Sequence, residues 1–365
     1  MINLLSYKKA EVIDIENNQD SVSWVKVKIG DKVFKAVNYN YITGTIEIGD
    51  FVIVNTTAVE LSLGTGGYHF VMFNYSNESK ELEGRGHIMK LRYTPYQIKC
   101  LSAEEQDSQY HDVFNSFTSL DNHICVAGTL HSMLAPIAST IKWMNKDIKI
   151  NYIMTDGGSL PIYFSNTVKI LKEKGIIDNT ITIGHAFGGD LECVNIYTGL
   201  IAAKEVLKGD VTIITMGPGI VGTGTKYGYS GIEQGQVIDA INTLKGNPII
   251  VPRISFKDMR ERHIGISHHT RTVLSEIAKS TGKVIIPILD SEKQCIIEDQ
   301  INRYDIGKKF QIIYENGEKV VDAMDYYGLN ITTMGRSFEE DKEYFLTLGA
   351  VGMYVFKEFM RGGIN

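Results

Sequence analysis

The alternation of apolar and polar positions divides the chain into two stretches of different character. Over the first ninety residues the period is two. From Val22 to Ile29, Val25, Val27 and Ile29 point one way and Lys26 and Lys28 the other. Val33–Val37, Thr45–Ile48, Phe51–Val54 and His69–Phe73 continue as short strands separated by Gly, Asp and Asn turns, with Gly49-Asp50 as a tight turn before Phe51. Closely spaced strands of this kind predict a small β-barrel or sandwich over residues 1–85. Residues 86–120 read as a connecting segment packed on the second domain.

From about residue 121 the pattern changes to short, continuously apolar strands between helical stretches. Ile124–Ala127, Ile150–Met154, Thr180–Ile183, Val211–Thr215, Pro248–Val251 and Lys283–Leu289 are the strands. Between them, Ser132–Asn145 has helical spacing, and a helix begun near Pro161 stops at Gly175. Ile196, Leu200, Ala203 and Leu207 form one stripe, and Thr270–Ser280 is a further helix. Each β-plus-α unit takes about thirty residues, the size of a right-handed crossover. The prediction for 121–365 is an α/β domain with a mostly parallel, doubly wound sheet. A closed β/α barrel is the competing architecture, because seven or eight strands can be counted.

Composition narrows the setting. The 365 residues are 43% hydrophobic and 22% charged, enough to build two cores without disulfide staples. Cys100, Cys125, Cys193 and Cys295 are scattered, with no CxxC pair. This fits small core residues in a reducing compartment. The N-terminus lacks a basic-then-apolar leader, and no apolar run is long enough to span a bilayer. A cytoplasmic protein with no membrane partner is expected. The net charge of −6 speaks against nucleic acid as a partner. Tyr39, Tyr41, Tyr68 and Tyr75 offer stacking faces on the barrel, but Lys and Arg are sparse between residues 36 and 79, which weakens an RNA-binding reading further.

The candidate chemistry gathers where strands end. Four successive strands run into polar or glycine-rich turns: 128–132, 155–159, 184–192 and 216–225. The strand from Pro248 runs into Arg253. In a parallel sheet, open or closed, these carboxyl ends share one edge, where ligands bind. Gly217, Gly219 and Gly222 match G-x-G-x-x-G, followed by Gly224. The residues after Gly222 hold three more glycines and open no helix, so the dinucleotide-binding context is missing. No G-K-[ST] order marks a P-loop. A ligand-covering loop and a structural loop remain as readings.

Residues 253–271 form a basic island in an acidic protein. Arg253, Lys257, Arg260, Arg262 and Arg271 stand against Asp258 and Glu261, with His263, His268 and His269 among them. Such a segment suits a phosphate or carboxylate. A solvated helix face is the plainer alternative, opposed by Gly265 and the His-His pair. His131, Asp156, His185, Asp190, His268 and His269 are the candidate catalytic residues. Gly217, Gly219, Gly222, Gly224, Arg253, Arg260, Arg262 and Arg92 are the candidate ligand-binding residues. His185, Asp190, His268 and His269 are the candidate ligands of a divalent metal. Ser132 and Ser159 read as helix N-caps rather than nucleophiles, since neither has the G-x-S-x-G elbow.

Several strings resemble a bacterial family catalogued only as a domain of unknown function. They are Gly64-Thr65-Gly66-Gly67-Tyr68-His69-Phe70, the run Gly86-His87 to Thr94-Pro95, Gly184-His185-Ala186 with Gly188-Gly189-Asp190, the Gly217–Thr225 loop, and Gly265-Ile266-Ser267-His268-His269-Thr270. The resemblance covers nearly the whole chain. It implies no catalytic assignment, but it associates Lys90, Arg92, His87 and Tyr93 with the site. Two functions are therefore weighed. The first is an enzyme acting on a small anionic metabolite, with metal-assisted hydrolysis the simplest reaction. The second is a non-catalytic nucleotide- or metabolite-sensing regulator whose barrel contacts a partner. The apolar segment Tyr344–Met360 reads as a core helix, with a homo-oligomer face as its other reading.

Overall fold

The computed structural model describes residues 3–64 and 66–362; Thr65, expected in a glycine-rich loop, lies outside them. The chain forms two compact units. One is Met1–Arg85 with Leu91–Ile98, and the other is Gly86–Lys90 with Lys99–Asn365.

The first unit is a closed five-stranded barrel. Its strands are β1 (Tyr7–Asn18), β2 (Val22–Ile29), β3 (Lys32–Tyr39), β4 (Phe51–Asn55) and β5 (Tyr68–Asn74), in the order β1-β2-β3-β5-β4. Strand alternation fills the interior with Ala10, Val12, Val25, Val27, Ala36, Val52, Val54 and Val71. Closure pairs β1 with β4, which leaves the barrel without an open sheet edge. The segment Thr45–Ile48 is not a strand. Ile46 alone is buried there, and Asn74 and Asn77 side-chain amides hold the Thr45 carbonyl instead of a neighbouring strand.

The second unit is built on β6 (Ile124–Ala127), β7 (Ile150–Thr155), β8 (Asn179–Ile183), β9 (Leu191–Cys193), β10 (Val211–Met216), β11 (Asn247–Ile250), β12 (Lys283–Pro287) and β13 (Gln311–Glu315). They form one eight-stranded sheet in the order β9-β8-β7-β10-β6-β11-β12-β13. Every neighbouring pair is parallel. The sheet is open, with β9 and β13 at its edges, so the closed β/α barrel is excluded. Its strands are apolar on both faces because both faces are covered. Ile124, Val126, Tyr152 and Ile213 pack beneath helices α1 (Leu134–Met144) and α2 (Asn166–Glu173). Cys125, Ala127, Ile153 and Ile214 pack beneath α3 (Ile196–Ile201) and α4 (Gln234–Thr243) on the other side. Farther along the chain come α5 (His268–Thr272), α6 (Ser291–Arg303), α7 (Lys319–Tyr327) and α8 (Lys342–Gly362). Helix α8 is a core element: Phe345, Leu348, Val351 and Val355 are fully buried in the first of these faces.

The topology singles out one point on the carboxyl edge. The chain moves outward from β6 through β7 and β8 to β9, then returns to insert β10 between β7 and β6. Helices leaving β6 and β7 cover one face, and the helix leaving β10 covers the other. The carboxyl end of β10 is therefore a topological switch point, where outgoing segments part to opposite faces. The Gly217–Gly224 loop leaves from this end. Among the described residues no helix is long and apolar enough to cross a membrane. Cys125 and Cys193 are buried, Cys100 is half-buried and Cys295 is exposed, all as free thiols.

Candidate functional site

The segment after β11 folds into a compact knot at the carboxyl edge. Ile254–Ser255 pairs antiparallel with Gly265–Ile266, and the residues between them bulge outward. The Gln300 side chain from α6 pins the return strand by accepting from the Ile266 N–H at 2.7 Å and donating to the Ile264 carbonyl at 2.9 Å. Gly265 has φ +69°, and a Cβ there would lie 2.5 Å from Gln300 Oε1, so a side chain at 265 would expel the pin. Ser267 then caps α5, accepting from the His269 N–H.

This knot gathers three imidazoles. His263, His268 and His269 each present one ring nitrogen such that all three lie within 4.8 Å of one another. The ring centroids of His268 and His269 are 4.1 Å apart, and those of His263 and His268 are 4.7 Å apart. His263 Nδ1 is engaged with Ser267 Oγ at 2.8 Å. Tyr229 lies on His269 from the loop side. Both ring nitrogens of His268 are buried and have no hydrogen-bond partner among the described residues. Burial, reinforced by the surrounding guanidinium charges, pushes His263 down to about 4 and lowers His268. Burial and the two neighbouring histidines push His269 down to about 3. The three rings are neutral at neutral pH.

A ring of charge surrounds them. Asp258, buried, takes two side-chain hydrogen bonds from Arg260, Nε to Oδ1 at 2.9 Å and Nη2 to Oδ2 at 2.8 Å, and a third from its backbone N–H. Arg253 lies 3.5 Å and Arg336 4.0 Å from the same carboxylate. The Arg260 hydrogen bonds hold Asp258 well below the usual carboxylate range. Arg336 also pairs with buried Asp341 at 3.3 Å, which accepts from Ser255. Arg271 donates to the Arg262 carbonyl and stacks on Tyr304. The Arg262 side chain is exposed and has no partner among the described residues.

The loop from β10 closes over this knot. A Cβ at Gly222 would lie 3.9 Å from His269 Cε1, and one at Gly224 would lie 3.6 Å from Arg262 Nη2. Gly219 has φ +104° with open space around it. Gly217, by contrast, is packed between Met154 and Leu160. The structure thus brings together Gly222, Gly224, Arg253, Arg260, Arg262, His268 and His269.

Other expected residues stand elsewhere. Asp156 and His185 occupy the adjoining ends of β7 and β8. Gly184, at φ +63°, leaves room for the Asp156 carboxylate, which a Cβ would meet at 2.3 Å. His131 is bound by Ser165 Oγ at 2.6 Å and Tyr152 Oη at 3.3 Å. Burial pushes it down to about 4, and it reads as a packed, satisfied histidine. Asp190 is corrected in place. Because Ile181 pairs with Leu191, Asp190 sits at the amino-terminal edge of the sheet, opposite the expected one. There it accepts from Thr180 N and Oγ1 and from Lys172. Arg92 belongs to the unit that contains the barrel. The expected caps are corrected too. Ser165, not Ser159, caps α2, Ser159 donates to Asp156, and Ser132 pairs with Tyr344 Oη.

Four residues at this edge are not among the candidates the sequence supplies: His263, Asp258, Tyr229 and Glu233. The His-x4-His-His spacing is the available signal for the first. Glu233 enters α4 and accepts from Thr155 Oγ1 at 2.5 Å. Burial raises its pKa, with Asp156 adding to the effect.

A family model described as "Protein of unknown function (DUF3866)" matches residues 35–352. No curated protein matches the chain.

Proposed function

The chain belongs to the DUF3866 family of unknown function, so its activity has to be read from the site, and we propose that it is an enzyme that binds a small phosphate- or carboxylate-bearing metabolite at the carboxyl edge of the parallel sheet and hydrolyses it. The observation that carries this reading is the state of Arg262. Its arginine neighbours at 253, 260, 271 and 336 are all engaged inside the protein. Arg262 is exposed, has no partner among the described residues, and lies beside the glycine loop that leaves the switch point. A planar guanidinium with open donors suits an oxyanion. Gly222 and Gly224 let the loop backbone come close to whatever Arg262 holds.

Glu233 supports hydrolysis as the reaction class. It enters α4 and accepts from Thr155 at the end of the adjoining strand β7, and burial raises its pKa, which favours the protonated form a general acid uses. Water supplies the attacking oxygen, and the cleaved group departs with the proton.

The test is calorimetric titration with inorganic phosphate, pyrophosphate and citrate at low and moderate salt. The wild-type chain should bind at least one of them, more weakly as salt rises. Arg262→Gln should weaken that binding at least tenfold without lowering the melting temperature. Wild-type protein that binds none of the three, or equal binding by Arg262→Gln, would overturn the reading.

A further inference from the structure

We propose that His263, His268 and His269 form a three-nitrogen site for one divalent transition-metal ion of the zinc and cobalt class, with at least one coordination position open. The inference stands on the imidazoles themselves and does not depend on the anion reading.

Three observations carry it. The first is convergence, with one ring nitrogen from each residue inside a 4.8 Å cluster. Ligand nitrogens on a tetrahedral ion, at about 2.0–2.1 Å from it, lie roughly 3.3 Å apart. Small side-chain rotations therefore bring the three onto a common centre. The second is His268. A neutral imidazole carries one N–H and one lone pair, and here both nitrogens are buried without partners among the described residues. Packing alone gives no reason for a histidine at this place, since phenylalanine would fill the space without stranding two polar atoms. Ligation uses the lone pair. The third is orientation. Ser267 holds His263 Nδ1, which leaves Nε2 as the ligand atom, and Tyr229 fixes the plane of His269 by stacking at 3.9 Å. Partners of this kind set ring direction and basicity at metal centres.

The donor set selects the ion. It holds no carboxylate and no thiolate, so magnesium and calcium are disfavoured and nitrogen-preferring ions are favoured. The arginines around the site have the opposite consequence. Asp258 offsets only one of the two charges of Arg253 and Arg260, and Arg262 adds a further positive charge with no partner among the described residues. A divalent cation is therefore held more tightly when an anion binds with it. By linkage, metal and anion must strengthen each other by the same factor.

The experiment uses the full chain, stripped with chelator and titrated with cobalt(II) alone. The expected result is one cobalt per chain with the visible absorption of a low-coordinate, nitrogen-ligated ion. His268→Phe and His263→Phe should each lower the affinity at least tenfold while circular dichroism stays native. Ser267→Ala should lower it about 10–100-fold. His185→Ala and Asp190→Asn should match wild type. Added inorganic phosphate should tighten cobalt binding in wild type but not in Arg262→Gln. Cobalt binding that phosphate leaves unchanged would sustain the metal site and count against the anion reading. Less than one cobalt per chain, or wild-type affinity in both phenylalanine variants, would overturn the metal site even if phosphate bound.

Discussion

Tyr229 lies flat on His269. Their ring centroids are 3.9 Å apart and their planes are 13° from parallel, while the tyrosine hydroxyl donates to the His269 carbonyl at 2.9 Å. One side chain from the β10 loop thus fixes both the ring and the backbone of a residue in the segment after β11. Tyr229→Phe keeps the stack and removes the hydrogen bond, so it should cost about 1 kcal/mol of stability. Tyr229→Leu also removes the stack. It should lower the melting temperature further and weaken cobalt binding, by freeing the His269 ring. Equal cobalt affinity in wild type and Tyr229→Leu would show that the stack is packing alone.

Asp258 is the counterweight of the basic segment. Three arginines converge on its carboxylate, which is 7% exposed. Asp258→Asn keeps the shape and removes the charge, leaving Arg253 buried among cations. Removing one partner of a buried pair costs roughly 3–5 kcal/mol, less here because Arg260 is half exposed and screened. A loss of about 2 kcal/mol in denaturant unfolding is expected. The same change should tighten phosphate binding, because the internal carboxylate no longer competes for the guanidinium groups. Tighter binding alongside lower stability separates this role from simple structural damage.

The fold is legible where burial dictates sequence. The central strands are mostly apolar on both faces because they lie between two layers of helices, and buried exceptions such as Asn151 and Thr212 are hydrogen-bonded. Legibility fails at edges and irregularities. Strand β1 escapes a period-two reading because register shifts after Val12 and Ile15 break its alternation. Strand β13 escapes it because, at the sheet edge, it is half exposed. The site is legible as an edge, since strand ends and glycine loops mark it in any parallel sheet. Its chemistry is not. His263 ends a three-residue turn, and the two-residue strand Gly265–Ile266 lies between it and His268, a path with no period. Asp190 falls on the edge opposite the expected one because residues 184–190 carry the chain back to the start of β9, a parallel strand of only three residues with little apolar signal.

Acid should unfold the α/β unit over a defined interval. Burial pushes His123 and His131 each down to about 4, whereas an unfolded histidine titrates near about 6.5. A depressed imidazole means that the unfolded chain binds more protons. Stability is therefore full above about pH 6.5 and falls as pH drops toward 4, by up to roughly 3 kcal/mol per histidine. Urea midpoints measured across that window should decline steeply. His123 Nε2 bonds Thr212 Oγ1 at 2.7 Å. The double variant His123→Leu with Thr212→Val removes both partners together and should flatten the decline. An unchanged slope in that variant would place the acid sensitivity elsewhere.

The barrel carries a second, separable case. His69 on β5 is 2% exposed, and neither ring nitrogen has a hydrogen-bond partner among the described residues. Its ring packs against Phe34, with centroids 5.0 Å apart, and burial lowers its pKa. A buried donor and acceptor left unsatisfied cost about 1–3 kcal/mol. An apolar residue of similar size removes that cost, so His69→Leu should stabilise the barrel. Because the depressed imidazole must be protonated on unfolding in acid, the gain should be largest at low pH and smallest above the ordinary imidazole range. With Trp143 of α1 replaced by phenylalanine, the fluorescence of Trp24, in β2 of the same barrel, reports this unfolding apart from that of the sheet. A His69→Leu barrel less stable than wild type at about pH 5, below the ordinary imidazole range, would mean that the imidazole has a partner in solution, such as a buried water, which the leucine cannot replace.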